Sequence, residues 1–83
     1  MVYPNPSTGR FKIDLHLSDN ISTSAKIELS NLVGQRVHVE QATITNGLLQ
    51  KTISMSSMLA HGTYVVKVIV SDKIYQAKLV YAK

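Results

Sequence analysis

The chain has 83 residues, 45% of them apolar, and no cysteine; it suits one domain, is too apolar for disorder, and offers no disulfide framework or thiolate metal site. Nine basic against five acidic residues give a formal charge of +4, which favours encounters with anionic surfaces within a screening length of about 8 to 10 Å but specifies no partner. A domain of this size buries only about 60% of the surface its unfolded chain exposes, and its longest apolar run, Tyr64 to Val70 broken by Lys67, is far too short to cross a bilayer.

Met1-Val2 leads directly into a Pro-rich turn and not into the charged start and apolar stretch of a signal peptide. We therefore read residues 1–83 as a single domain, a fragment of a longer precursor with Met1 an expression start, in preference to a cytoplasmic protein. Pro4 and Pro6 fix φ and restrict the residues before them, so Pro4 to Gly9 is a stiff lead into the first strand.

Phe11, Ile13, Leu15 and Leu17 alternate with Arg10, Lys12, Asp14 and His16, which puts apolar side chains on one face of a strand and polar ones on the other. Turn residues Asp19-Asn20 and Ser22 to Ser24 precede a second alternation, Ala25, Ile27 and Leu29 against Lys26, Glu28 and Ser30. Asn31 to Gly34 predicts a tight turn, after which the chain reverses into Val37 and Val39. Thr45-Asn46-Gly47 is the strongest hairpin signal, since Asn-Gly accepts the positive φ pair of a type I′ turn; it predicts a junction between strands near Arg36 to Ile44 and Leu48 to Met55.

Ser56 to His61 breaks the alternation, with Met58-Leu59 as a short apolar plug ended by Gly62. Thr63 to Val70 is β-branched and apolar on both faces, Tyr64, Val66, Val68 and Val70 on one and Val65 and Ile69 on the other, which predicts a central strand. Ser71-Asp72-Lys73 turns into a final edge strand with Tyr75, Ala77, Leu79 and Tyr81 on one face and Gln76 and Lys78 on the other. Short strands separated by polar turns predict an all-β fold, an antiparallel Ig-like β-sandwich of about seven strands.

Candidate chemistry is sparse. His16, His38 and His61 lie on separate segments without paired ligand spacing, so no metal site is expected. Ser54, Ser56 and Ser57 near His61 lack a Gly-x-Ser-x-Gly elbow. Asp14, Asp19, Glu28, Glu40 and Asp72 fall on expected solvent faces or turns, with no source of burial to raise a pKa for acid–base work. No catalytic residue or cofactor is therefore assigned. Lys73, Tyr75, Lys78, Tyr81 and Lys83 interleave basic and aromatic residues, but alternation turns the tyrosines away from Lys78, against nucleic-acid stacking. Lysines on an edge strand ordinarily discourage stray pairing; the alternative use of such a strand is capture by a receptor.

Four short patterns occur in order along the chain: Pro4-Asn5-Pro6 with Gly9, then Gly34-Gln35 with Val37, then Leu59 with Gly62 and Tyr64, and last Lys78-Leu79-Val80 with Lys83. Together they resemble the C-terminal sorting domains (type A) of cargo proteins of the type IX secretion system of Bacteroidetes, from Tyr3 to Lys83. Ser71-Asp72-Lys73 departs from the resemblance, lacking a glycine often found in that hairpin. The resemblance implies a non-catalytic label fused behind a secreted cargo. A type IX translocon at the outer membrane recognises the label in the periplasm, and the product is secreted or held at the cell surface.

It further implies that a sortase cuts upstream of Tyr3, and that the terminal strand is shown to an outer-membrane barrel shuttle. In that scheme Lys78 and Lys83 supply charge, Leu79 and Val80 supply shape, Gly62 and Tyr64 hold the adjoining strand, and Pro4, Asn5, Pro6 and Gly9 set the cargo boundary. Neither nucleic-acid binding nor membrane insertion is expected. The alternative is a carbohydrate-binding or adhesive sandwich module of an extracellular enzyme, which would expose a row of aromatics; a third reading is a structural domain that only spaces or oligomerises its partner, which a stable symmetric dimer would favour.

Overall fold

Apolar alternation resolves into seven strands: β1 (Val2–Tyr3), β2 (Arg10–His16), β3 (Thr23–Asn31), β4 (Arg36–Ile44), β5 (Leu48–Ser54), β6 (Gly62–Val70) and β7 (Lys73–Tyr81). The protein is seen as a computed structural model that describes residues 2–3, 8–18, 20–55 and 60–82. Two antiparallel sheets, β1-β2-β5 and β4-β3-β6-β7, form the β-sandwich that the strand pattern predicts. Their facing sides supply the core, with Phe11, Ile13, Leu49 and Ile53 from the smaller sheet against Ile27, Leu29, Val66, Val68, Leu79 and Tyr81 from the larger.

β6 lies between β3 and β7, the central position its two-sided apolarity predicts. Tyr64, Val66, Val68 and Val70 are buried, whereas Val65 and Ile69 are half-buried on the outer face. β7 ends this sheet, with Leu79 and Tyr81 buried and Tyr75 and Ala77 half-buried on its inner side. The turn between them is Ser71-Asp72, flanked by the Val70–Lys73 pair, and Ser71 adopts φ +55 where glycine is the cheaper residue.

The Asn46-Gly47 turn forms as expected, with φ +51 and +78, and Thr45 and Leu48 exchange hydrogen bonds of 3.0 and 2.9 Å across it. No ladder follows, however: β4 pairs with β3 and β5 with β2, so the turn passes the chain from one sheet to the other. Burial explains the departure. A continued hairpin would set Ile44 and Leu49 side by side on one sheet, whereas splayed strands bury both residues within the core. The turn is strapped to the loop after β2, because Leu17 donates to the Gly47 carbonyl (2.8 Å), Gly47 to the Ile21 carbonyl (2.7 Å) and the Asn46 amide to Ser22 Oγ (3.1 Å).

Three further differences have local causes. Ser30, expected at the surface, is buried where the β3–β4 register slips between Leu29 and Ser30. The same bulge leaves Val37 half-buried against the core while Val39 is exposed. β1 was not expected at all, since two residues carry no period; Val2 pairs with Ile13 and Tyr3 with Lys12. Met58-Leu59 lies outside the described residues.

Candidate functional site

One end of the sandwich gathers the chain's motif positions. β3 and β7 run toward it, β2, β4 and β6 run away from it, and Gly9, the Asn31–Gly34 turn, Gly62 and Tyr81 therefore meet there. Register fixes the alignment of the last two strands: Gly62 lies opposite Tyr81, Thr63 opposite Val80, Tyr64 opposite Leu79 and Val65 opposite Lys78.

Tyr81 is the hub. Only 2% exposed, it receives the edge of His61 at a centroid distance of 5.3 Å and 78° between planes, and a tilted contact from Tyr64 at 6.4 Å. Edge-on geometry places the positive rim of one ring against the negative face of another. The Tyr64 hydroxyl donates to the Ala60 carbonyl at 2.5 Å, which ties the segment before β6 to the same cluster. Gly9 closes it from the other sheet: its carbonyl accepts from the Met55 amide at 2.6 Å, and a Cβ on it would touch the Tyr81 ring at 3.7 Å. Its φ of +128 is what demands glycine.

Beside this cluster the β3–β4 turn presents an apolar tip. The Asn31 side chain braces it, Oδ1 accepting from the amides of Val33 (3.1 Å) and Gln35 (2.9 Å) while Nδ2 donates to Gln35 Oε1 (2.9 Å). Gly34 at φ +91 completes the reversal, leaving Leu32 and Val33 exposed, the latter by 82%. Both directly precede the Gly34-Gln35 pattern in the sequence, and the Asx chemistry of Asn31 is what holds the turn that exposes them.

The terminal strand divides its labour by face. Leu79 is fully buried, while Lys78 and Val80 point to the outer face, Val80 being 38% exposed. In the folded domain Leu79 therefore packs, and of the motif residues described on this strand Lys78 and Val80 are the ones a partner could touch. Pro4, Asn5, Pro6, Leu59 and Lys83 lie outside the described residues.

Charged groups elsewhere form pairs. Glu28 Oε2 meets Lys26 Nζ at 3.2 Å and Arg36 at 3.3 Å on the outer face, and the hydrogen bond from Lys26, with that cation and Arg36 beside it, holds the carboxyl below the ordinary 4.5. Glu40 departs from the surface position expected of it. It sits on the core side of β4, where Lys51 of the opposite sheet reaches it at 2.8 Å and His38 at 2.8 Å. Hydrogen bonds from Lys51, chiefly, and His38 lower its pKa as well. This pair closes the flank that the splayed β4 and β5 leave open. His16 lies 3.2 Å from Asp14. Among the described residues no three His, Cys, Asp or Glu gather to hold a metal ion, and Tyr3, 39% exposed, is the one aromatic of the Phe/Tyr class at the surface.

A family model described as the secretion system C-terminal sorting domain matches residues 1–82. The chain belongs to that family. It is accordingly a type IX secretion C-terminal sorting signal, fused behind a cargo that is exported to the cell surface or secreted. No curated protein matches the chain. For a sorting domain the end of the sandwich just described is the natural candidate surface, because positions far apart in sequence, Gly9, Gly34, Gly62, Tyr64 and the β7 terminus, converge on it.

Proposed function

We propose that the type IX translocon reads this sorting domain in its folded state, at the end where β7 leaves the sheet. Lys78 and Lys83 supply charge to an outer-membrane barrel shuttle, Val80 supplies shape, and Leu79 holds the strand in place from within. Gly62, Tyr64 and Gly34 keep the neighbouring β6 and the β3–β4 turn in register, and Pro4, Asn5, Pro6 and Gly9 set the boundary with the cargo. Transit is through the periplasm, and a sortase acts upstream of Tyr3 after export, so the domain contributes recognition and no catalysis.

The observation that carries this reading is the cage around Tyr81. The hub residue lies on the terminal strand and is held by Gly9 from one sheet and by His61 and Tyr64 from the segment leading into and along β6. A label read at its terminal strand requires that strand to be fixed, since a free end pays conformational entropy on capture. The test fuses residues 3–83 behind a periplasm-targeted fluorescent protein and compares a type IX-competent strain with a translocon mutant. Fluorescence at the surface or in the medium of the first, with retention in the second, is expected. Retention in both, with the fusion folded, refutes the reading. Undiminished export after Lys78→Ala and Lys83→Ala together removes its electrostatic part.

A further inference from the structure

The outer face of the larger sheet carries an uneven charge. Among its described residues, Lys26 of β3, Lys67 of β6, Lys78 of β7 and Arg36 at the start of β4 stand against one carboxylate, Glu28. That carboxylate is withdrawn as well: its side chain is 13% exposed, and Lys26 and Arg36, at 45% and 58%, both hold its Oε2. What approaches this face therefore meets cations.

Register lines them up. Lys26 lies opposite Ile69, two residues from Lys67, and Lys67 lies opposite Gln76, two residues from Lys78. The three lysines thus follow one diagonal across β3, β6 and β7, at about 7 to 8 Å per step. Lys67 is its middle. Glu28 is the cross-strand neighbour of Lys67 on β3, yet it is engaged by Lys26 and Arg36, and no described carboxylate forms an ion pair with Lys67. Self-repulsion along such a stripe opposes folding, and an anionic partner relieves it.

Aliphatic side chains border the diagonal on both sides. Ile69 and Ile74 form a cross-strand pair on one side, with Ile74 60% exposed, and Val65 and Val80 lie on the other. A layer of lipid headgroups answers the lysines alone and leaves these aliphatics in contact with water and polar groups. A protein surface with carboxylates set around apolar side chains answers both.

On the reading of the domain as a folded label, we propose that the translocon component which captures it does so over this face, through an acidic protein surface whose carboxylates meet the Lys26-Lys67-Lys78 diagonal. The contact thereby extends from the end of β7 onto the sheet and centres on Lys67, a residue that none of the four sequence patterns contains. Steering by the stripe acts on the rate of encounter and weakens as salt rises.

The test reads the initial export rate of a fluorescent protein followed by residues 1–83 in the type IX-competent strain. Three variants are compared with the parent: Lys26→Gln with Lys67→Gln, Lys26→Arg with Lys67→Arg, and Lys67→Met, which keeps an apolar stem in place of the charge. Export about tenfold or more slower in the glutamine pair, and close to the parent rate in the arginine pair, is expected, because steering depends on charge. Export of the glutamine pair at the parent rate overturns the proposal. If that pair melts more than about 5 °C below the parent, Lys67→Met decides in its place: slowed export supports the stripe and parental export overturns it. Retention of the parent fusion itself refutes the label reading, so the two failures are told apart. Cosedimentation of the isolated domain with phosphatidylglycerol vesicles, lost in the glutamine pair, assigns the stripe to a lipid surface and also overturns the acidic-protein partner.

Discussion

Replacing Tyr81 with alanine separates two ways in which a terminal strand can be read. The ring is buried at the last position of β7, meets the rings of His61 and Tyr64, and lies where a Cβ on Gly9, just before β2 of the other sheet, would touch it. Truncating a buried aromatic costs about 3 to 5 kcal/mol, lost transfer energy together with the cavity left behind. A domain of 83 residues has in all about 4 to 12 kcal/mol of stability, at 0.05 to 0.15 kcal/mol per residue. The variant thus forfeits about a quarter or more of the total, and its melting temperature drops by about 12 to 40 °C at roughly 4 to 8 °C per kcal/mol. Thermal unfolding followed by circular dichroism measures this. Tyr81→Phe is the control, since it keeps the ring and gives up about 1 kcal/mol at most. A drop below about 5 °C for Tyr81→Ala refutes the packing role assigned to the hub. Full export of Tyr81→Ala, at a temperature where its unfolding is measured, refutes the claim that the folded strand is what the translocon reads.

Four other outcomes follow from the same geometry. Ser71→Gly relieves a positive φ of +55 in the β6–β7 turn and raises stability by up to about 1 kcal/mol in urea unfolding, net of glycine's greater freedom in the unfolded chain; a loss of stability contradicts the turn assignment. Gly34→Ala has open space for its methyl group but must hold φ at +91, so it costs about 1 to 3 kcal/mol through backbone strain alone. A double-mutant cycle on Glu40→Gln and Lys51→Met gives a coupling of about 0.2 to 1 kcal/mol, as half-exposed pairs do, and that coupling shrinks in high salt. Glu28 and Glu40 are both held below 4.5 in the folded state, so below that pH the unfolded chain binds more protons. Stability is therefore complete above about 4.5 and falls as pH drops through the lowered values, and Glu28→Gln with Glu40→Gln flattens that acid limb.

Strand existence was legible because burial here follows period two with few exceptions. The alternation from Phe11 to Leu17 and the two-sided run from Thr63 to Val70 each encode both a strand and its place in a sheet. Partner choice at Asn46-Gly47 was not legible, since the dihedral preference of that dipeptide is local and is satisfied equally by a hairpin and by a crossing between sheets. What decides is the pairing of β4 with β3 and of β5 with β2, which sets Ile44 opposite Thr23 and Leu49 opposite Leu15, with both Ile44 and Leu49 buried. Glu40 was misplaced for a related reason: a carboxylate on the core side is unfavourable alone, and its compensation comes from Lys51 on another strand of another sheet. At the candidate site, Gly9, Gly62 and Tyr64 could be named from local patterns, but their convergence on Tyr81 is a product of topology, and the motif segment beginning at Leu32-Val33 could be named without its exposure at a turn tip being foreseen.

The connectivity also bears on when such a label becomes readable. β7 has its sheet neighbour in β6, β6 leans on β3 across more than thirty residues of sequence, and Gly9 reaches Tyr81 from the far end of the chain. Contacts of such separation close late, after loop entropy has been overcome, and they hold one another in place. If recognition requires β7 in its folded position, this strand becomes competent only once β3 and β6 are in place. A truncated or misfolded domain then offers no fixed terminal strand, whatever residues remain at its end. A short unstructured tail with the same Lys78-Leu79-Val80 sequence would lack that check. On the proposed reading, the demand for a folded strand would account for a whole sandwich where a short peptide could have carried the same side chains.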